Sequence, residues 1–261
     1  MLLKNKFAFV SGGSDGIGAS TALLLSEAGC NVTITGRDNS KLDNIYSQLD
    51  TSVNQKHNKI SVDYNVPKNM IASITEHCNS NDIRYDVLIN NSGGPKPGKI
   101  VDSSIDDFHS TFDRHLICNH LLFQEFYPHM KNNQFGRVIN IISTSVKQPI
   151  RGLGVSNTIR GAVASWAKTL SYEVAADGIT VNNILPGFTE TGRLDSIIET
   201  KSTKLGISKD DVILDMISSI PVGRFGRPDE IAKLVVFLSS EDSSYINGVS
   251  IQVDGGRVEA I

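Results

Sequence analysis

The sequence predicts an α/β fold, a doubly wound parallel sheet of about seven strands with helices on both faces. Short β-rich apolar runs alternate with longer amphipathic stretches along the chain, and this alternation is typical of parallel sheets. Most of the short runs are apolar on both sides of the pleat, as strands are when helices cover both sheet faces. The predicted strands are residues 7–10, 31–35, 59–62, 87–90, 137–142, 180–185 and 249–253.

Three of the intervening stretches carry helix signals. Residues 17–28 end at Gly29, a residue type that commonly terminates helices. Residues 156–176 place apolar side chains at helical spacing and end before Gly178. Residues 228–239 begin with a proline and two acidic residues, which suit the first turn of a helix. These helices fit between the predicted strands.

The chain has no linker rich in Pro, Gly or Ser and no change in composition along its length, so residues 1–261 are predicted to form a single domain. The segment at about 189–225 breaks the alternation because it is polar, charged and only loosely helical, over residues 210–219. We expect this segment to be an insertion over the sheet edge that acts as a lid.

Composition and charge exclude several classes of function. The formal net charge is −3 and the Lys and Arg residues are scattered, so nucleic-acid binding is not expected. The longest apolar runs are far shorter than the roughly 20 residues of a membrane span, and residues 1–10 lack the apolar core of a signal peptide, so we expect a cytoplasmic protein. Cys30, Cys78 and Cys118 lie far apart, which predicts reduced thiols and no metal site.

A glycine-rich turn follows the first predicted strand and opens the first predicted helix. It has the sequence Ser-Gly-Gly-Ser-Asp-Gly-Ile-Gly over residues 11–18. Glycines let the backbone turn tightly and approach a pyrophosphate, and the helix N-terminus presents free N–H groups to the anion. A Walker-type loop is excluded because no Gly-Lys-Ser/Thr follows. The turn therefore predicts dinucleotide binding by Ser11, Gly12, Ser14, Asp15, Gly16, Ile17 and Gly18.

Four motifs together make the sequence resemble the short-chain dehydrogenase/reductase family. Residues 11–18 resemble its Thr-Gly-x-x-x-Gly-x-Gly turn, 90–93 its Asn-Asn-Ala-Gly, 186–191 its Pro-Gly-x-x-x-Thr and 253–256 its Val-Asp-Gly-Gly. The resemblance covers nearly the whole chain and implies a Rossmann-like fold that binds a nicotinamide dinucleotide. It also implies that the cofactor contacts Asp63, beside adenine, and Asn91, Ser92, Gly93, Pro186, Gly187, Thr189 and Thr191.

The end of the second predicted strand bears on which nicotinamide cofactor is bound. Family members that bind NAD(H) carry an acidic residue there on the ribose 2′-hydroxyl, whereas this chain has Gly36 and Arg37. A guanidinium can donate two hydrogen bonds to the 2′-phosphate of NADP(H), which an acid would repel. We therefore expect NADP(H), with a solvated surface charge as the alternative role of Arg37. Asp15 favours NAD(H) weakly, so NAD(H) stays open.

The resemblance also implies that the catalytic positions are altered. In the family a Ser, a Tyr-x-x-x-Lys pair and an Asn handle the proton in hydride transfer. Alignment of the flanking motifs places Ser143 at the serine, Ser156 at the tyrosine, Arg160 at the lysine and His115 at the asparagine. A serine hydroxyl is a far weaker acid than a phenol, and an arginine stays protonated near neutral pH.

Two hypotheses follow from these replacements. In the first, the chain is an NADP(H)-dependent oxidoreductase in which Ser143, Ser156 and Arg160 hydrogen-bond the alkoxide that develops on a carbonyl or alcohol substrate, while His115 relays the proton. In the second, it is a catalytically impaired dinucleotide-binding protein that acts as a sensor or partner subunit.

Alternatives stay open for the individual groups. His115 could equally be a hydrogen-bonded helix histidine, Arg160 could pair with a carboxylate across a subunit contact, and Ser145 is a second hydroxyl close to the aligned serine.

The resemblance is strongest to the 3-oxoacyl-[acyl-carrier-protein] reductase-like branch of the family. It implies a homotetramer or homodimer, with the helix of Ser156 and residues 226–256 at the interfaces.

Overall fold

The computed structural model describes residues 2–260 and contains one parallel sheet. Its strands in chain order are β1 (Phe7–Val10), β2 (Asn31–Gly36), β3 (Asn58–Ser61), β4 (Val87–Asn90), β5 (Gly136–Ile141), β6 (Ile179–Pro186) and β7 (Ser250–Val253). The order in the sheet is β3-β2-β1-β4-β5-β6-β7, so the chain runs from the centre to one edge and then from the centre to the other. This confirms the predicted Rossmann-like, doubly wound sheet.

Helices cover both faces of this sheet. They are α1 (Gly16–Glu27), α2 (Asn39–Tyr46), α3 (Pro67–Asn81), α4 (Ile105–Phe112), α5 (Cys118–Asn132), α6 (Gly154–Glu173), α7 (Gly192–Leu205), α8 (Lys209–Ser218) and α9 (Pro228–Ser239). Phe9 of β1 belongs to the apolar core shared with α3, α5 and α6, whereas its neighbours Ala8 and Val10 belong to the core shared with α1 and α9. This alternation explains why β1, at the centre of the sheet, lacks a polar face.

The predicted strands and helices end within one residue of the observed ones, except for α6. That helix begins two residues earlier than predicted and ends at Glu173 rather than at 176. Val174 is the C-cap residue of α6, with φ −109°, and Ala175–Asp177 form a separate 3₁₀ turn. Gly178 then reverses the chain in the left-handed region, at φ +72°.

The segment 189–225 folds as α7 and α8 around an apolar cluster of its own, which includes Leu194, Val212 and Phe225. A β-bridge between Thr189 and Gly226 holds the two ends of the segment together. The beginning of α7 lies at the carboxyl ends of the strands, which is where a lid would be useful. Its action as a lid stays a prediction.

Candidate active site

A cleft of about 980 Å³ opens at the carboxyl ends of β1, β2, β4, β5 and β6. In open parallel sheets this crevice, where the strand order reverses, is the usual place for a ligand. Most of the site residues predicted from the sequence line the cleft. They are Gly12, Ser14, Asp15, Gly16, Ile17, Arg37, Asp63, Asn91, Ser92, Gly93, Ser143, Ser156, Arg160, Pro186, Gly187, Thr189 and Thr191.

Three predicted site residues lie behind the cleft wall. Ser11 is buried, and its Oγ accepts a hydrogen bond from the Tyr64 hydroxyl at 2.9 Å. Gly18 is packed so closely that an added Cβ would lie 2.0 Å from the carbonyl oxygen of Gly12. His115 is also buried. Ser11 and Gly18 therefore shape the turn from behind.

The glycine-rich turn has the backbone that an anion-binding turn requires. Gly12 and Gly16 have φ of +59° and +53°, a region that other residues rarely adopt. Asp15 precedes α1, but its side chain does not cap the helix. Instead its carboxylate pairs with the ammonium group of Lys41 at 2.6 Å. The first-turn N–H groups of α1 therefore have no side-chain cap, which fits a pyrophosphate at this point.

The end of β2 offers positive charge beside the turn. A Cβ added to Gly36 would lie 2.7 Å from Ser14 Oγ, so a larger residue at this position would require the Ser14 side chain to move. Arg37 is exposed, lines the cleft and makes no ion pair within residues 2–260. Asp38 accepts a hydrogen bond from the backbone N–H of Lys41 and so caps α2. Lys41 also lines the cleft. Its position four residues after Arg37 is the one sequence feature that could have indicated this.

The end of β4 is tied to the glycine-rich turn by Asn91. Its Nδ2 donates to the carbonyl oxygens of Ser11 at 3.3 Å and Gly12 at 3.2 Å, which joins the two central strands across the cleft floor. Asp63, after β3, uses one carboxylate oxygen to accept two hydrogen bonds from Asn65. Asp63 and Asn91 extend the lining of the cleft from the β3 side to the centre of the sheet.

Two serines of the predicted catalytic set face the cleft. Ser143 Oγ accepts a hydrogen bond from the backbone N–H of Ser145 at 3.1 Å, so its own hydroxyl hydrogen is available to a ligand. Ser145 is buried, its hydroxyl has no partner among the described residues, and it does not line the cleft. Ser156 lines the cleft from the first turns of α6. The choice between Ser143 and Ser145 therefore favours Ser143.

Arg160 is a buried cation at the wall of the cleft. Its Nη1 donates to the carbonyl oxygen of Ile141 at 3.0 Å, and no carboxylate within residues 2–260 pairs with it. Burial, and then the charge of Arg193, lower the pKa of Arg160 to about 10, which still leaves the guanidinium protonated at neutral pH. The group supplies a fixed positive charge and hydrogen-bond donors to the cleft.

His115 lies in a π-helical turn, Asp113–Ile117, between α4 and α5. Such turns are rare and often occur at functional sites. Its Nδ1 is 2.8 Å from Ser92 Oγ, and its Nε2 has no partner in the described structure. Burial first, and then the charges of Arg160 and Arg114, hold the pKa of His115 well below its usual range. The imidazole is therefore neutral near pH 7 and reaches the cleft only through Ser92.

Two further arginines line the cleft and were missed from the sequence. Arg193 donates from Nη2 to the carbonyl oxygen of Pro95 at 2.6 Å, and the Arg257 guanidinium stacks 4.3 Å from the centre of the Phe188 ring. A signal did exist, since Arg193 follows two residues after the Thr191 of a cofactor motif. For Arg257 there is no such signal, since nothing in the sequence pattern distinguishes it from a surface charge.

The one tyrosine of the described cleft wall, Tyr64, lies on the β3 side. Its hydroxyl bonds to Ser11 and Thr35, and burial raises its pKa to about 12. The Tyr64 hydroxyl therefore has a structural role in the cleft wall.

Over residues 2–260, no group of three or more His, Cys, Asp or Glu side chains is arranged to hold a metal ion. No helix in this part of the chain has the length and apolar character needed to cross a membrane.

The fold and the cleft together define a nicotinamide-dinucleotide oxidoreductase of the Rossmann type. A family model described as Enoyl-(Acyl carrier protein) reductase matches residues 12–257. The chain belongs to this family of short-chain dehydrogenases/reductases, which confirms the resemblance predicted from the motifs.

Similar proteins are found among characterised chains and solved structures. NADPH-dependent reductase BacG of Bacillus subtilis is 33% identical over 99% of this chain and 100% of its own length. A 3-oxoacyl-[acyl-carrier-protein] reductase, FabG of Rickettsia felis, is 30% identical over 98% of both chains. The crystal structure of YwfH, an NADPH-dependent reductase involved in bacilysin biosynthesis, superposes with a TM-score of 0.91 at 30% identity, covering 98% of this chain and 99% of that one. L-sorbose reductase of Gluconobacter frateurii, solved with NADPH and L-sorbose, has a TM-score of 0.92 at 25% identity over 99% of this chain and 98% of that one.

Proposed function

We propose that this chain is an NADP(H)-dependent oxidoreductase acting on a carbonyl or alcohol group. The observation that carries the proposal is one continuous cleft with Arg37 at one end, the phosphate-binding turn in the middle and Ser143, Ser156 and Arg160 at the other end. NADPH dependence in the names of similar reductases supports the same cofactor. Bound NADP(H) supplies or accepts the hydride.

The residues of this chain divide the work between cofactor and substrate. Arg37 donates to the 2′-phosphate, and the uncapped N-terminus of α1 receives the pyrophosphate. At the other end the Ser143 hydroxyl donates to the substrate oxygen, since its Oγ is already an acceptor for Ser145 N–H. Arg160 adds a fixed positive charge near the same place. Donors that are already in position where negative charge develops lower the barrier of the reaction.

For the proton transfer we propose a different route from the relay through His115 that the sequence suggested. A neutral, buried imidazole is a poor proton donor near pH 7, so His115 is better placed to orient the Ser92 hydroxyl toward the cleft. The proton for the alkoxide then comes from water. Without a phenol as general acid, we expect turnover to be slower by roughly 10²–10⁴-fold than with one.

The second candidate is a dinucleotide-binding sensor or partner subunit without turnover. It is favoured by the absence of a tyrosine from the β4–β7 side of the cleft in residues 2–260.

Oxidation of NADPH by the purified protein, measured with a panel of ketones and aldehydes, separates the oxidoreductase from the sensor. We expect slow oxidation that is lost in Ser143→Ala. A rise in melting temperature with NADPH but no oxidation would favour the sensor, and no rise with either cofactor would refute dinucleotide binding.

We also propose a homo-oligomer, a dimer or tetramer, in the cytoplasm. Ile105 on α4 and Tyr172 on α6 are 69% and 72% exposed, and Tyr245 in the 226–256 region is fully exposed. Apolar side chains on these elements are suited to a subunit contact. Light scattering coupled to gel filtration tests the oligomeric state.

The buried, unpaired thiols suit a reducing compartment such as the cytoplasm. Imaging of a tagged protein would test this location.

A further inference from the structure

The charged residues of the cleft are distributed unevenly. On the β1–β3 side both signs are present. That side is lined by Asp15, Asp38, Asp63, Arg37 and Lys41. On the β4–β7 side, within the described chain, the charged residues are Arg160, Arg193 and Arg257, and no acidic residue accompanies them.

None of these three arginines has a carboxylate partner within residues 2–260. Arg160 and Arg193 use one nitrogen each on a backbone carbonyl oxygen, of Ile141 and Pro95. Arg257 stacks on an aromatic ring and leaves its Nε buried without a partner. Several guanidinium donors are therefore unused at one end of the cleft.

Two of these guanidinium groups face the same point. A Cβ added to Gly94 would lie 3.7 Å from Nη2 of both Arg160 and Arg193. Two positive charges this close repel each other, and the lowered pKa of Arg160 reflects that repulsion after burial. A bound anion would remove this cost and use the free donors in bidentate geometry.

The cofactor does not account for this excess of positive charge. Its phosphates are assigned to the glycine-rich turn and Arg37, on the other side of the sheet centre. The same cleft is also lined by apolar side chains, among them Ile150, Leu153 and Ile197. A ligand that matches this lining has an apolar body and an anionic group.

We propose that the substrate is a carbonyl or alcohol compound that carries an oxyanion group, a carboxylate or a phosphate monoester, bound by Arg193 together with Arg160 and Arg257. This rests on the proposed oxidoreductase function and names the substrate class of the same site. Arg193 is the most informative position, because it is exposed at the start of α7 and its removal leaves the core intact.

Matched pairs of probes that differ only in charge test the proposal. They are levulinate and its methyl ester, benzoylpropionate and its methyl ester, and dihydroxyacetone phosphate and dihydroxyacetone. Binding to the enzyme–NADP⁺ complex is measured by the shift in melting temperature, and turnover by NADPH oxidation. We expect at least one anion to bind about 10- to 100-fold more tightly than its neutral partner, since charge-assisted hydrogen bonds contribute about 1.5–3 kcal/mol.

Variants assign that preference to a residue. Arg193→Gln should remove most of the preference for the anion and change affinity for the neutral probe less than about twofold, whereas Arg193→Lys should keep part of it. Arg84→Gln, which makes the same charge change outside the cleft, should leave the preference unchanged. The NADPH dissociation constant is measured for each variant.

Equal binding of charged and neutral probes would overturn the proposal. So would an Arg193→Gln variant that weakens NADPH binding and keeps the anion preference, since Arg193 would then belong to the cofactor site. NADPH binding without turnover of any probe would refute the oxidoreductase function, while the melting temperatures would still decide whether the site selects anions. The carboxylate and phosphate arms identify which oxyanion is preferred.

Discussion

The two sides of the cleft differ in what builds them. The β1–β3 side combines a glycine-rich turn with left-handed residues, an uncapped helix N-terminus and charged side chains of both signs, among them the paired Asp15 and Lys41. The β4–β7 side has polar atoms without a partner among residues 2–260, such as Arg257 Nε in the cleft wall and His115 Nε2 behind it. The β1–β3 side therefore offers a ligand a fixed backbone turn as well as side-chain charge, whereas the β4–β7 side can change its chemistry through single side chains.

Arg160→Met should give the largest effect and tests whether the β4–β7 side carries the chemistry. Removing the fixed charge should lower kcat/KM by about 10²–10³-fold, the size expected for loss of one oxyanion-stabilising group. The NADPH dissociation constant should change much less. Arg160→Lys serves as the control, because it keeps the charge. A proportional loss in NADPH binding would mean that the two sides of the cleft are not separate.

Arg37→Ala should give an intermediate effect, confined to the β1–β3 side. Loss of a charge-assisted contact to the 2′-phosphate should lower the ratio of NADPH to NADH affinity by about 10- to 100-fold. Isothermal titration with both cofactors measures this ratio. Lys41→Ala is the matched control, and a smaller change is expected because Lys41 is already paired with Asp15. An unchanged ratio in Arg37→Ala would leave that residue as a solvated surface charge.

His115→Asn should give the smallest effect, seen in stability against pH. Because the pKa of His115 is lowered by folding, the unfolded chain binds a proton that the folded chain does not once pH falls below about 6.5. The wild type should then lose up to about 1.4 kcal/mol of unfolding free energy per pH unit, and the variant should lose less.

Urea unfolding at about pH 7.5 and about pH 5.5 measures this difference. The exposed His109 provides the control, since His109→Asn should follow the wild-type pH dependence. Equal pH dependence in wild type and His115→Asn would show that the buried imidazole is not held neutral.

The apolar pattern of the strands and the glycine-rich turn were sufficient to predict the sheet and most of the residues that line the β1–β3 side of the cleft. Both signals are local, since strand burial and a tight turn depend on neighbouring residues. The substrate side was predicted less completely. Ser143 and Ser145 differ by two positions, and only the fold shows that one faces the cleft while the other is buried without a partner.

By itself, the sequence was sufficient to predict the order of strands and helices along the chain and the glycine-rich turn after the first strand, and it leads us to propose that Ser156 and Arg160 stand where the family has its tyrosine and lysine. Only the tertiary structure decided the charge of the reacting end. Arg160, Arg193 and Arg257 come from α6, α7 and the chain after β7, and they line one cleft because these parts of the chain lie together at the carboxyl ends of the strands. Electrostatic interaction depends on distance in space and on burial, neither of which is set by separation along the chain.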